Sequence, residues 1–331
     1  MSERPLSLRF LEILYFMLKI LSYLLTVIII VALVIGVDVW RDNHKPELPG
    51  TNEQYYKIVS LPIPDSLYFS GEEVPLNIFH VKESLDRELS VNTYWHSSTL
   101  QLIKMSHRWF PLMEEILKKN NIPDDFKYLA VIESGLKNVT SPAGAKGYWQ
   151  IMKATAKEYD LEVDKYIDER YNVVKSTEAA CRYLQKSYDK FGNWTLAAAS
   201  YNAGVTGILK QLNRQDEESY YDLLLNDETA RYLYRIMAVK LIFENPESYG
   251  FYIEEKDYYQ PIPMKTIEVK TSVDDWAKFA KDQGISYKLL KYFNPWLRQK
   301  DLKNKKKKTY FINIPEPPYN MTHRGNLSVN K

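Results

Sequence analysis

The distribution of apolar and polar positions divides the chain into four stretches. From Ile20 to Val37 it reads ILSYLLTVIIIVALVIGV, without a charged residue. A helix of about 20 such residues spans a bilayer. Residues 38–60 turn polar and carry Pro46, Pro49 and Gly50, the texture of a spacer. From residue 75 onward helical spacing dominates: TLQLIKMSHRWFPLMEEILKKN sets Leu102, Met105, Trp109, Leu112 and Ile116 three or four positions apart. A Pro-started helix over 123–134 follows, then a loop rich in Ser, Pro and Gly. STEAACRYLQKSYDKFG reads as a helix ended by Gly192, and NWTLAAASYNAG as a short one stopped at Gly204. DETARYLYRIMAVKLIFEN reads as a long helix over 227–245, halted before Pro246. Beyond YGFYIEEKDYYQPIP the period changes. TIEVK alternates like a strand, SVDDWAKFAKDQG and YKLLKYFNP read as two short helices, and TYFINIP as a closing strand. The pattern predicts a mainly α protein with a small, separate βααβ module.

Composition narrows the function. The chain has 331 residues, of which 45% are apolar, enough for a sizeable core. A formal charge of +2 gives no support to nucleic-acid binding. Cys181 is the only cysteine, so no internal disulfide forms, and with five His a structural zinc site fits poorly. No metal and no cofactor is expected. The run Lys305 to Lys308 reads as a solvated turn.

The charges around the apolar run bear on topology. Arg4, Arg9 and Lys19 precede it, against Glu3 and Glu12, and Asp38, Arg41 and Asp42 follow, a modest bias toward a cytoplasmic N-terminus. An uncleaved signal anchor is the favoured reading. A cleaved signal peptide is disfavoured by the length of the run and the lack of a small-x-small site at its end; a buried soluble helix is the third reading. With no cysteine there, a lipoprotein anchor is excluded. The anchor makes this a single-pass cell-membrane protein with its bulk outside the cytoplasmic membrane.

One position in the helix at 123–134 breaks the apolar pattern. Phe126, Leu129 and Ala130 stand at i, i+3 and i+4, and i+7 on the same face is Glu133, with Gly135 as the C-terminal stop. A carboxylate at the edge of a core has its pKa raised by desolvation, and a protonated acid at neutral pH suits glycosidic cleavage. The other reading has Glu133 turned to solvent or paired with Lys137. Downstream, SPAGAKGYWQIM sets small residues beside Tyr148, Trp149 and Gln150. Small residues admit a ligand to the backbone, aromatics stack on sugars, and Gln150 donates and accepts hydrogen bonds; a tight loop with an aromatic plug is the alternative.

These residues carry a resemblance. Glu133-Ser134, Ser141-x-Ala-Gly-Ala-x-Gly-x-Trp-Gln-Ile-Met152, AAASYNAG (197–204) and Glu228-Thr-x-x-Tyr232 stand in the order and spacing of the soluble-lytic-transglycosylase family. The resemblance covers residues 75–253. It implies a goose-type lysozyme-like helical fold acting on peptidoglycan, cutting the β-1,4 bond between N-acetylmuramic acid and N-acetylglucosamine. Glu133 matches the family's single catalytic acid/base, which protonates the leaving oxygen and then deprotonates the muramoyl C6 hydroxyl, closing a 1,6-anhydro ring. By motif position Ser141, Tyr148, Gln150 and Met152 would line the cleft. Tyr201 and Asn202 would hold the N-acetyl group and the acid, and Glu228 and Tyr232 would stand behind it. Met152 as core, Tyr232 as packing and Glu228 as a helix cap are the plainer alternatives. Ser134 reads as structural.

The chain departs from the family where Lys153 replaces Pro after QIM, where ETA replaces ETR with Arg231 one place later, and in a shorter loop between Glu133 and Ser141. Its terminal module resembles a degenerate LysM domain, a glycan-binding unit, best in KYFNPWL and FINIP; SVDD stands where Gly-Asp-Thr-Leu is customary.

The expected organisation is a cytoplasmic N-terminus at 1–16, an anchor at 17–37, a spacer at 38–74, the transglycosylase domain at 75–253, a linker at 254–264, the LysM-like module at 265–316 and a disordered tail at 317–331. Expected partners are glycan strands, the cytoplasmic membrane and cell-wall machinery proteins. Two rivals stand: a muramidase that uses water on the same bond, and a non-catalytic wall-binding or scaffold protein.

Overall fold

The computed structural model describes residues 6–43 and 58–321, with side chains in the first stretch at Tyr15 and from Met17 to Trp40. The chain divides into two units, before and after residue 60. In the first, helix α1 (Leu6–Asn43) contains Met17–Trp40, long and apolar enough to cross a membrane, with its described side chains exposed. Helix continues through 38–43, six places into the expected spacer.

The second unit begins earlier than expected. Leu67, Phe69 and Val74 are buried in the main core, and Leu61 and Ile63 pack against it. A tight hairpin joins β1 (Tyr68–Phe69) to β2 (Glu72–Glu73) through Ser70 and Gly71, both at positive φ. The spacer expected through residue 74 therefore ends before the core segment, at about residue 60. Its isolated apolar residues, broken by Pro62, Pro64 and Pro75, show no period that would reveal them as core.

Helices α2 (Phe79–Tyr94), α3 (His96–Lys119), α4 (Lys127–Ser134), α5 (Lys153–Glu158), α6 (Val173–Phe191), α7 (Trp194–Ala203), α8 (Val205–Gln215) and α9 (Asp227–Glu244) build the helical body. Residues 124–126 form a 3-10 turn that runs from Pro123 into α4, and Gly135 closes α4 in the left-handed region. Asn172, Asn193 and Asn226 cap α6, α7 and α9, each side chain accepting a backbone N–H of the first turn. In α3 the buried stripe is Ile103, Ser106, Phe110, Met113 and Leu117. The stripe chosen from sequence lies beside it, with Leu102, Met105, Trp109 and Leu112 half-buried. Ile116 alone of that set is buried. Small residues let α7 sit centrally: Ala197, Ala198, Ala199 and Ser200 are fully buried where it touches α6, α8 and α9.

At the C-terminal end β3 (Met264–Val269) pairs antiparallel with β4 (Tyr310–Pro315), from Met264↔Pro315 to Val269↔Tyr310. Helices α10 (Trp276–Asp282) and α11 (Tyr287–Phe293) pack on it, which is the expected βααβ order. The module is not separate. Its core of Trp276, Leu290, Trp296 and Ile312 also holds Ile167 and Tyr171 from the helical body. The segment expected as a linker is likewise docked: the Tyr259 N–H donates to the Lys104 carbonyl of α3 and the Arg108 side chain to the Gln260 carbonyl. Most of the tail, residues 322–331, lies outside the described residues.

Candidate active site

The last turn of α4 carries Glu133 toward α9. There the Tyr232 hydroxyl donates to Glu133 Oε1 at 2.5 Å. Tyr232 is buried at 2% exposure, while Glu133 is partly buried. Burial pushes the Glu133 carboxyl up to about 7; the Tyr232 hydrogen bond and the Arg235 charge work against that push, and Glu228 adds to it. Glu228, Tyr232 and Arg235 stand at i, i+4 and i+7 on α9, one face of the helix. Arg235 was missed from the sequence, yet that spacing is the signal that reveals it.

The wall of the site is the loop 141–152. Short bridges, Thr140↔Lys146 and Lys146↔Ile151, fold it back on itself. Gly147 sits at φ 79° with its α-carbon hard against residue 170; a Cβ there would lie 1.9 Å from the Arg170 carbonyl oxygen. Ser141 Oγ accepts the Ala145 N–H and so closes the SPAGA turn. The Ser134 hydroxyl donates to the Tyr148 carbonyl at 2.8 Å, tying the end of α4 to this wall and matching the structural role expected of it. Tyr148 is buried with its ring edge-on to Trp109, and Trp149 is fully buried with its indole N–H donating to Thr177 Oγ1.

The other expected residues converge on two neighbouring cavities. One, of about 200 Å³, is lined by Gln150, Met152, Tyr183, Tyr201 and Asn202 among others. Met152 is 44% exposed, so it belongs to this surface and not to the core. Gln150 has φ 46° and its amide donates to the Gly147 carbonyl at 2.8 Å, which fixes its direction. The Tyr201 hydroxyl donates to the Trp149 carbonyl at 2.8 Å. A second cavity, of about 540 Å³, is lined by Asn202, Gln211, Arg214, Glu228 and Thr229 among others. Asn202 stands between the two, donating to Glu228 Oε1 at 3.1 Å and accepting from the Thr229 hydroxyl at 2.7 Å. The plainer reading of Glu228 as the helix cap does not hold, since Asn226 fills that role. Among the described residues no cluster of His, Cys, Asp and Glu could hold a metal ion.

Two segments of the chain match known protein families. Residues 111–224 match the family described as Transglycosylase SLT domain, and residues 265–318 match the Soluble lytic transglycosylase C-terminal LysM-like domain. The chain carries an SLT transglycosylase domain and a LysM-like domain. The SLT match contains Glu133, the loop 141–152 and the YNAG segment, and ends before Glu228 and Tyr232. Over 238 residues the chain is 31% identical to membrane-bound lytic murein transglycosylase D of Escherichia coli (strain K12), and the same figures hold for that protein in Escherichia coli O6:H1. The aligned part is 68% of this chain and 50% of theirs, so the chain spans about half the length of the curated relatives it matches. The crystal structure of the 70 kDa soluble lytic transglycosylase from Escherichia coli superposes with a TM-score of 0.37 at 18% identity, over 54% of this chain and 33% of that one. The LysM-like domain begins at β3 and ends just past β4, and the SLT match holds the whole lining of the smaller cavity and that of the larger one except Leu225, Asn226, Glu228 and Thr229.

Proposed function

We propose that the SLT domain is a peptidoglycan lyase that cleaves the β-1,4 bond between N-acetylmuramic acid and N-acetylglucosamine, with Glu133 as its one acid/base. The single observation that carries this reading is the Glu133 carboxyl, held near pKa 7 at the end of α4 with a phenol donating to it. A group so poised can give a proton to the leaving glycosidic oxygen and then take one from the muramoyl C6 hydroxyl. That hydroxyl attacks C1, the glycosidic bond breaks, and a 1,6-anhydro ring closes with no water consumed. Tyr232 orients the carboxyl and favours its ionised form after the first transfer. Tyr201, fixed on the Trp149 carbonyl, and Asn202 serve the N-acetyl group; an Asn amide has a second N–H and a second lone pair beyond the two bonds to Glu228 and Thr229. Ser141 shapes the wall through its turn, and Gln150 and Met152 face the sugars from it.

The apolar span Met17–Trp40 and the membrane-bound relatives support a membrane anchor, and Arg4, Arg9 and Lys19 ahead of the apolar run support the reading that it crosses once with its N-terminus in the cytoplasm. Tethering raises the effective concentration of the SLT domain at the wall, and the LysM-like domain adds contact with glycan.

The test is digestion of isolated peptidoglycan with the wild type and Glu133→Gln, followed by weighing the released muropeptides. Anhydro ends from the wild type and none from the variant are expected. Hydrated reducing ends would make it a muramidase, and wall binding without release from either protein would make it a binding protein.

A further inference from the structure

The chain between the SLT cavities and the LysM-like domain makes an unbroken run of contacts. Ile167 pairs with Leu297 as an isolated bridge. The Asp168 N–H donates to the Trp296 carbonyl at 2.9 Å, and the Arg298 N–H donates to the Tyr166 carbonyl at 2.7 Å. From this seam the next residues turn back to the loop. Asp168 takes Arg170 in a two-pronged pair, both N···O distances 2.9 Å. The same guanidinium donates to the Gly144 and Ile151 carbonyls, each at 3.2 Å, and its residue's own carbonyl abuts Gly147. Tyr171 has its ring in the LysM-like core, beneath the Arg298 guanidinium at 4.4 Å, and its hydroxyl is 2.8 Å from Thr140 Oγ1. Asp168 and Arg170 are almost wholly buried. A buried ion pair of this kind adds little net stability by itself; here its guanidinium links Asp168 to two carbonyls of the loop.

We propose that the LysM-like domain is a brace for the loop 141–152, acting through Asp168, Arg170 and Tyr171, which are positioning residues for the reaction. The inference rests on the reading of that loop as the wall of a cleft at Glu133. A guanidinium that grips both ends of the loop, and that is itself clamped at a seam, transmits the packing of the one domain to the wall of the other. The domain thus contributes to turnover by holding the wall, apart from any affinity it has for glycan.

The experiment uses the full chain in detergent and reads hydrogen exchange in 141–152 together with kcat and KM on glycan strands. The variants are Arg298→Ala paired with Gln299→Ala at the rim of the seam, Arg170→Lys within the clamp, and Val91→Ala on the exposed face of α2 as control. The seam pair and Arg170→Lys should exchange the Gly147 and Ile151 amides about tenfold faster and lose kcat by about 10- to 100-fold at nearly constant KM. Arg298→Lys, which keeps a cation over Tyr171, should restore most of the loss. Val91→Ala should leave loop exchange and kcat unchanged. Unchanged loop exchange in the seam pair, folded by its melting curve, would overturn the brace, as would an equal fall of kcat in Val91→Ala. A wild type that releases no anhydro product while the seam pair still loosens the loop would instead sink the proposed reaction and leave the brace standing.

Discussion

Tyr232 of α9 and Glu133 of α4, 99 residues apart in sequence, meet in a 2.5 Å hydrogen bond in which the phenol donates. Because that bond favours the charged carboxylate, it sets how far burial can raise the acid.

Removing the donor should move the acid. In Tyr232→Phe the Glu133 pKa should rise above about 7, by about one pH unit, since a hydrogen bond to a charged group is worth about 1.5–3 kcal/mol and one unit about 1.4. Activity needs the protonated form first, so the rate falls as pH rises through this pKa. The falling limb of the pH–rate profile should shift to higher pH in the variant; an unmoved limb would show that Tyr232 does not tune the acid.

The same carboxyl should cost stability at alkaline pH. Its folded pKa lies above the unfolded value near 4.5, so folding takes up a proton between about pH 4.5 and 7 and stability falls across that window. Glu133→Gln escapes this. It should be about 2–3 kcal/mol more stable than the wild type at pH 8, with the gap closing below pH 4. Urea melts at the two pH values measure it.

Two glycines of the loop should behave differently. Gly147→Ala drives a Cβ to 1.9 Å from the Arg170 carbonyl oxygen and should cost about 3 kcal/mol or more. Gly144→Ala, also at positive φ but facing open space, should cost about 1–2 kcal/mol. Thermal melts of the two variants give the comparison, and equal losses would contradict it.

Arg231 should matter through α2. Its guanidinium donates to buried Glu88 at 2.7 and 3.3 Å. Arg231→Ala strands that charge and should destabilise by about 2–3 kcal/mol, less than for a fully buried pair because water reaches Arg231. Adding Glu88→Gln should recover part of the loss, measured as a double-mutant cycle in urea.

The sequence alone determined the apolar span, the helices ended by Gly192, Gly204 and Pro246, the βααβ order, and Glu133 as an acid on an apolar face. These are local properties, set by period, caps and side-chain chemistry within a few turns. Only the tertiary structure decided that Leu67, Phe69 and Val74 join the core, that the half-buried stripe of α3 is not its core stripe, and that the LysM-like domain shares its core with Ile167 and Tyr171. The same holds for the partners of Glu133. Tyr232 could be named from its motif, but the direction of its hydroxyl, the charge of Arg235 nearby and the grip of Arg170 on the loop depend on contacts across many residues of sequence. Such contacts are fixed by packing, which no periodicity along the chain records.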